Sequence, residues 1–333
     1  MHTKSSSNGI DYTPDIFSSD LYLSTLGEIY FPNSQYSFEV FEVENLYYSL
    51  LVIDGKRIIT TFPFLDFFHH LTSPPKKNTK KVAFIPRVSQ TIERFEGDRN
   101  KLVHIDAAKE ELAPFIDLTS FSDWEKYQKF LSTRKHDLVT DTDRRLRKLI
   151  REKGTPQFNF QTNDAHLLTV CTRWKTRHYE HLGGTDMFID PRHKQFLVAL
   201  QKKGLAIVSS LSVGKDPIAV VVGMLEKNIY YGWISAYDRA YSIYAPGRLL
   251  LHNLLQESFR RGFVRFDFLL GAEEYKWYYA THYQIVGPIG KPSFMDQLNF
   301  WRKKIMYWGR TYFPTPYYFL KKCAIHLLKM KSS

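Results

Sequence analysis

Apolar and polar positions alternate with a period of two through much of the first third of the chain. This predicts strands over 37–43, 45–53 and 56–64, and short strands near 82–85 and 102–105. Asp54-Gly55 joins two of them as a hairpin turn pair that tolerates positive φ. The stretch 73–81, SPPKKNTKK, reads as a loop. Helical periodicity predicts helices over 121–131 and 141–153, the second ending at Gly154.

The second half is more regular. A strand is predicted over 156–161, a helix over 164–181 stopped by Gly183-Gly184, and a helix over 190–203 with Asp190 as cap and Pro191 in its first turn. Strands over 205–211, 218–226 and 229–236 form a meander. A helix over 246–261 carries an apolar stripe at Leu250, Leu251, Leu254 and Leu255, and ends at Gly262. A strand over 263–269, a short helix over 272–279 and a strand over 283–286 close the pattern. From Pro156 the order is β-α-α-β-β-β-α-β-α-β.

With 333 residues the chain fits two domains of roughly 150 residues each. Residues 1–20 lack periodicity and read as a flexible arm; 21–140 and 141–291 read as domains, and 292–333 as a tail. Cys171 and Cys323 stand far apart without a CxxC partner, which excludes a disulfide framework or a structural zinc site. The first residues lack the apolar core of a signal peptide. The longest strongly apolar runs, 46–53 and 217–225, are about half of the roughly 20 residues a spanning helix needs. A cytoplasmic protein is expected.

Net charge changes the picture locally. Of the total +12, residues 297–333 contribute eight bases and no acid. They also hold nine aromatics, Phe300, Trp301, Tyr307, Trp308, Tyr312, Phe313, Tyr317, Tyr318 and Phe319. Bases with Trp and Tyr suit an anionic membrane surface, so a peripheral position on the inner face of the membrane is expected of this tail.

The chemistry concentrates between Tyr241 and Ala280. Ala245-Pro246-Gly247-Arg248-Leu249 opens a helix after a strand, and a helix N-terminus with a glycine is a natural anion site. Asp267 is a carboxylate in an apolar strand and needs a partner, with Lys276 and Arg248 as candidates. Tyr275 and Lys276 follow on the next helix.

The stretches YSIYAPGRLLL and RGFVRFDFLLGAEEYKWYYA resemble the CelD/BcsL-type branch of GNAT acyltransferases, found with polysaccharide synthesis and related to the Fem-type aminoacyltransferases. The resemblance implies a mixed α/β GNAT fold, in tandem with a degenerate GNAT-like N-terminal half. It implies acyl-coenzyme A as co-substrate, with no metal, and an amine or hydroxyl of an envelope amino sugar or lipid-linked precursor as acceptor. The pyrophosphate would sit at Ala245, Pro246, Gly247, Arg248 and Leu249. Leu249 stands where typical GNAT loops carry a second small residue. Of Tyr275, Tyr278 and Tyr279, which all qualify by position, Tyr275 beside Lys276 would protonate the departing thiolate; Lys276 would stabilise developing negative charge or bind negative groups of the acceptor, and Asp267 would act as acid, base or positioner.

Two alternatives keep their own signals. The basic run Arg144, Arg145, Arg147, Lys148 and Arg151, together with Leu249, suits a Fem-like transferase using aminoacyl-tRNA. The tail alone suits a non-catalytic scaffold. His69-His70 reads as loop polarity, and His178 with His181 lacks a third metal ligand.

Overall fold

A computed structural model describes residues 16–71, 79–103, 105–162, 164–182, 186–271 and 273–312. A single turn at Ile16–Ser18 leads into α1 (Asp20–Tyr30), where Ser19 Oγ accepts the Tyr22 amide as an N-cap. Ile16, Phe17, Tyr22, Leu23 and Leu26 are fully buried. The arm expected over 1–20 is therefore corrected from residue 16 onward, because a mobile arm would return Ile16 and Phe17 to water at roughly 2 kcal/mol each. Residues 1–15 lie outside the described residues.

β1 (Tyr36–Val43), β2 (Leu46–Ile53), β3 (Arg57–Ile59) and β4 (Lys80–Lys81) form a four-stranded sheet in the order β3-β2-β1-β4. Asp54 and Gly55 both have positive φ, as their hairpin requires.

The remaining elements are β5 (Phe84–Arg94), β6 (Glu111–Asp117), α2 (Trp124–Arg134), α3 (Leu138–Lys153), β7 (Pro156–Asn159), α4 (Ala165–Leu182), α5 (Pro191–Lys202), β8 (Ala206–Val213), β9 (Asp216–Glu226), β10 (Ile229–Tyr237), α6 (Pro246–Arg260), β11 (Arg265–Asp267), α7 (Glu274–Tyr279), β12 (His282–Gly290) and α8 (Phe294–Tyr312). Their strands build an eight-stranded sheet in the order β5-β12-β6-β11-β10-β9-β8-β7. The strand expected near 102–105 is absent among the described residues there. The pairing segment is β6, which Pro114 disguises, since a proline inside a run argues against a strand.

Both faces of this sheet are covered. Val220, Val222 and Met224 of β9 pack with α1, α4 and α5, while Ala219 and Val221 pack with α3 and α6. A strand with two buried faces reads as a continuous apolar run, and β9 does.

Candidate active site

The site follows from how β10 and β11 part. They pair in parallel only over Ile229–Tyr231 and Arg265–Asp267. Beyond Tyr231, β10 stays with β9 to Tyr237 and carries a bulge between Gly232 and Ile234. β11 ends at Asp267, and the chain turns away through Leu269, at φ 57°. The divergence opens a cavity of about 540 Å³. One wall is Gly232–Tyr237; the other is Phe268, Leu269, Leu270, Tyr275 and Lys276. Gly247 and Arg248 of α6 and Lys175 and Tyr179 of α4 complete the lining.

Gly247 needs no unusual φ, and a Cβ built on it would meet only the Tyr237 ring, at an ordinary 3.5 Å. Pro246 has no N–H, and the Arg248 and Leu249 amides donate to Ala245 O at 3.0 and 3.1 Å. Among the described residues, the Gly247 amide thus stands outside the helix's own hydrogen bonds. Ala245 is left-handed at φ 51° and caps α6. Pro246 and Leu249 are buried, and Leu249 packs into the core around α6 rather than into the cleft. Of the five residues expected to hold pyrophosphate, Gly247 and Arg248 line the cavity and Leu249 does not.

Arg248 is held by the Asp141 carboxylate of α3, which also binds Arg144 and Arg145. These guanidinium groups, led by Arg145, depress the Asp141 pKa well below the usual carboxylate range. Arg248 Nε is buried without a hydrogen-bond partner. An open glycine at a helix N-terminus beside a guanidinium is the kind of place that can hold an anion such as phosphate.

Asp267 is 1% exposed and sits behind the cleft wall. Its expected partners, Lys276 and Arg248, are corrected: the carboxylate pairs with Arg265, two residues back on the same face of β11. It also accepts the Leu269 amide at 2.8 Å and the Gln284 amide group at 3.4 Å. Gln284 Oε1 in turn meets Ser89 Oγ at 2.8 Å and His69 Nε2 at 3.1 Å. His69, expected in a polar loop, is therefore buried beside this network.

Lys276 is 5% exposed and reaches the cleft. Its Nζ donates to Leu270 O and pairs with Glu273, each at 2.8 Å. Tyr275 stands at the cleft with 45% of its surface exposed. Burial of the remainder and the Glu273 carboxylate raise its hydroxyl above the ordinary tyrosine value, so it stays protonated.

Lys175 went unnoticed in the sequence. Its Nζ donates to Ser235 O of β10 at 3.2 Å, inside the cleft. Burial lowers its pKa; Cys171 and Glu273 oppose the shift and Lys276 reinforces it. In the sequence Lys175 stands among Arg173, Thr176 and Arg177, a polar run that reads as helix surface. His181 Nε2 meets Arg239 at 3.2 Å. Among the described residues, no group of three His, Cys, Asp or Glu side chains could hold a metal ion.

Residues 138–277 match the acetyltransferase (GNAT) domain family. Among solved structures, FemX aligns with a TM-score of 0.50 at 8% identity, over 83% of this chain and 91% of that one. A conserved protein of unknown function from Bacteroides thetaiotaomicron aligns at 0.44 with 10% identity, over 84% and 93%. A tandem GNAT protein from the clavulanic acid biosynthesis pathway aligns at 0.37 with 9% identity, over 84% and 98%. At 8% identity the likeness to FemX is one of fold. No curated protein matches the sequence. The chain is thus a mixed α/β protein of GNAT fold, and its residues 138–277 form a GNAT acetyltransferase-like domain.

Proposed function

We propose that this protein transfers an acyl group from acyl-coenzyme A to an amine, or a hydroxyl, of an envelope amino sugar or lipid-linked precursor, as the CelD/BcsL-type resemblance implies. The observation that carries the reading is the cleft between β10 and β11, with Gly247 open at one side and Lys175, Tyr275 and Lys276 in its lining. The co-substrate supplies an activated acyl carbonyl. Gly247 N–H and Arg248 would hold its phosphates.

The chain's own residues handle the protons. Lys175, shifted toward the neutral amine, is suited to take the proton from the acceptor nitrogen at Nζ. Tyr275, held protonated, is suited to give one at Oη to the leaving sulfur. Lys276, anchored by Glu273 and Leu270 O, stands at the wall where negative charge develops. Asp267 touches none of the reacting atoms. It holds the Leu269 turn and so positions the wall that carries Tyr275 and Lys276.

One observation favours a second reading. Leu249 fills core where a coenzyme A loop keeps a small residue, and Arg144 and Arg145 of α3 gather beside Arg248. An aminoacyl-tRNA donor would use that basic flank. Calorimetry with coenzyme A tests the difference. Saturable binding that Gly247→Val abolishes supports the acyl-coenzyme A reading; absence of binding by the folded wild type overturns it.

A further inference from the structure

α8 carries its large apolar side chains where the protein does not use them. Phe294, Leu298, Trp301, Ile305, Trp308 and Tyr312 follow one another at alternating intervals of four and three residues. That spacing places them on one stripe of the helix. The stripe runs its length, roughly 28 Å. Each of the six is at least half exposed, with Trp301 at 67% and Ile305 at 65%. The opposite side faces the protein: Phe300 meets the ring of Phe84 on β5 at 6.1 Å, and Asn299 and Lys303 line a groove with it.

Charge decides what fits this stripe. In a seven-residue frame with Leu298 and Trp301 on the seam, the flanking positions include Gln297 on one side with Lys304, and Arg302 with Gly309 on the other. No acid flanks the seam. Asp296, the acid of the helix, is folded into its N-terminal cap with Ser293. Two copies packed through this stripe would bring no acid to meet these bases: parallel copies would set Gln297 against Arg302 and Lys304 against Gly309, and antiparallel copies base against base. An anionic surface would meet bases on both edges and apolar side chains between them. Trp and Tyr are also the residues that settle at a membrane–water boundary.

We infer that α8 is an interfacial helix that lies on anionic lipid through Phe294, Leu298, Trp301, Ile305, Trp308 and Tyr312, with Arg302 and Lys304 contacting headgroups. The surface stands apart from the cleft: β5, beside α8, is separated from β10 by β12, β6 and β11. Residues 313–333, outside the described residues, add four bases and no acid to the same end of the chain.

The test uses the full chain with vesicles of phosphatidylglycerol mixed with phosphatidylcholine, and of phosphatidylcholine alone. The wild type should sediment with the mixed vesicles and release partly as salt rises. The double variant Trp301→Glu, Ile305→Glu should lose about tenfold or more in partitioning. Arg302→Gln with Lys304→Gln should lose at least about tenfold, mainly in the salt-sensitive part. Coenzyme A binding, measured on the same samples, should not change, which separates this inference from the proposed reaction. Three results would overturn it: a wild type that ignores anionic vesicles, as when the chain's own tail covers the stripe; equal binding by the glutamate variant; or a dimer that the glutamate variant dissociates without altering vesicle binding.

Discussion

Lys175 and Lys276 enter one cleft from its two diverging walls. Lys175 is tied to Ser235 O on β10, and Lys276 to Leu270 O just beyond β11. Burial first, and then the Lys276 ammonium, disfavour the charged form of Lys175, while Cys171 and Glu273 oppose the shift. Glu273 is itself paired with Lys276. Lys175 is thereby moved toward the neutral amine, a shift that acid–base chemistry near neutral pH can use.

Lys175→Met should lower turnover by about a hundredfold or more while leaving the melting temperature close to wild type. The pH–rate profile is the sharper readout. A base must be neutral, so the wild-type rate should rise with pH through a pKa below the usual lysine value, and the methionine variant should lose that limb. An unchanged limb would assign it to another group.

Gly247→Val should weaken coenzyme A binding by tenfold or more with the fold intact, because the added side chain has room beside Tyr237 and occupies the space in front of the helix. Calorimetry on protein shown to be folded by circular dichroism reads this directly. Equal affinity would remove the phosphates from α6.

Asp267→Asn should act first on stability. It breaks a buried pair with Arg265 and weakens the cap on the Leu269 turn, at a cost of about 3 kcal/mol. Denaturant unfolding should show that loss, and activity per folded molecule should fall less than in Lys175→Met. A variant as stable as wild type but inactive would return Asp267 to the chemistry.

His252 gives a pH dependence. Burial first, then Arg248, lowers its pKa to about 4, and its Nε2 meets Tyr279 Oη at 3.0 Å. The folded state keeps it neutral while the unfolded chain protonates near pH 6.5. This contribution is therefore full above about 6.5 and declines as pH falls toward 4, by up to about 3 kcal/mol. Unfolding free energies across that window should fall accordingly, and His252→Gln should flatten that part of the curve.

The legible parts of this molecule are those with local causes. α6 announces itself through Pro246, the leucine stripe and Gly262, and the meander through its turns at Gly214 and Asn228. The strand over 56–64 shrinks to β3, whereas the one near 82–85 lengthens to β5, whose partner in β12 lies some two hundred positions away in the chain. No local pattern carries that pairing. Lys175 was hidden for the same reason, since only the fold brings α4 against β10. The Arg265–Asp267 pair was within reach: residues two apart on a strand share a face. α8 was read as a basic aromatic tail because its stripe lacks a partner to define it.

The place of β12 also governs the order in which the molecule can be made. β5 and β6 are not neighbours; the last strand slots between them. While the ribosome is still adding residues 118–281, both strands carry a naked edge whose partner, β12, has not yet been made. Unpaired edges of this kind invite adhesion between chains. Synthesis therefore has a vulnerable interval that ends only when Gly290 emerges. A ribosome stalled shortly before that point would hold a chain with its cleft-forming strands complete and its sheet still split.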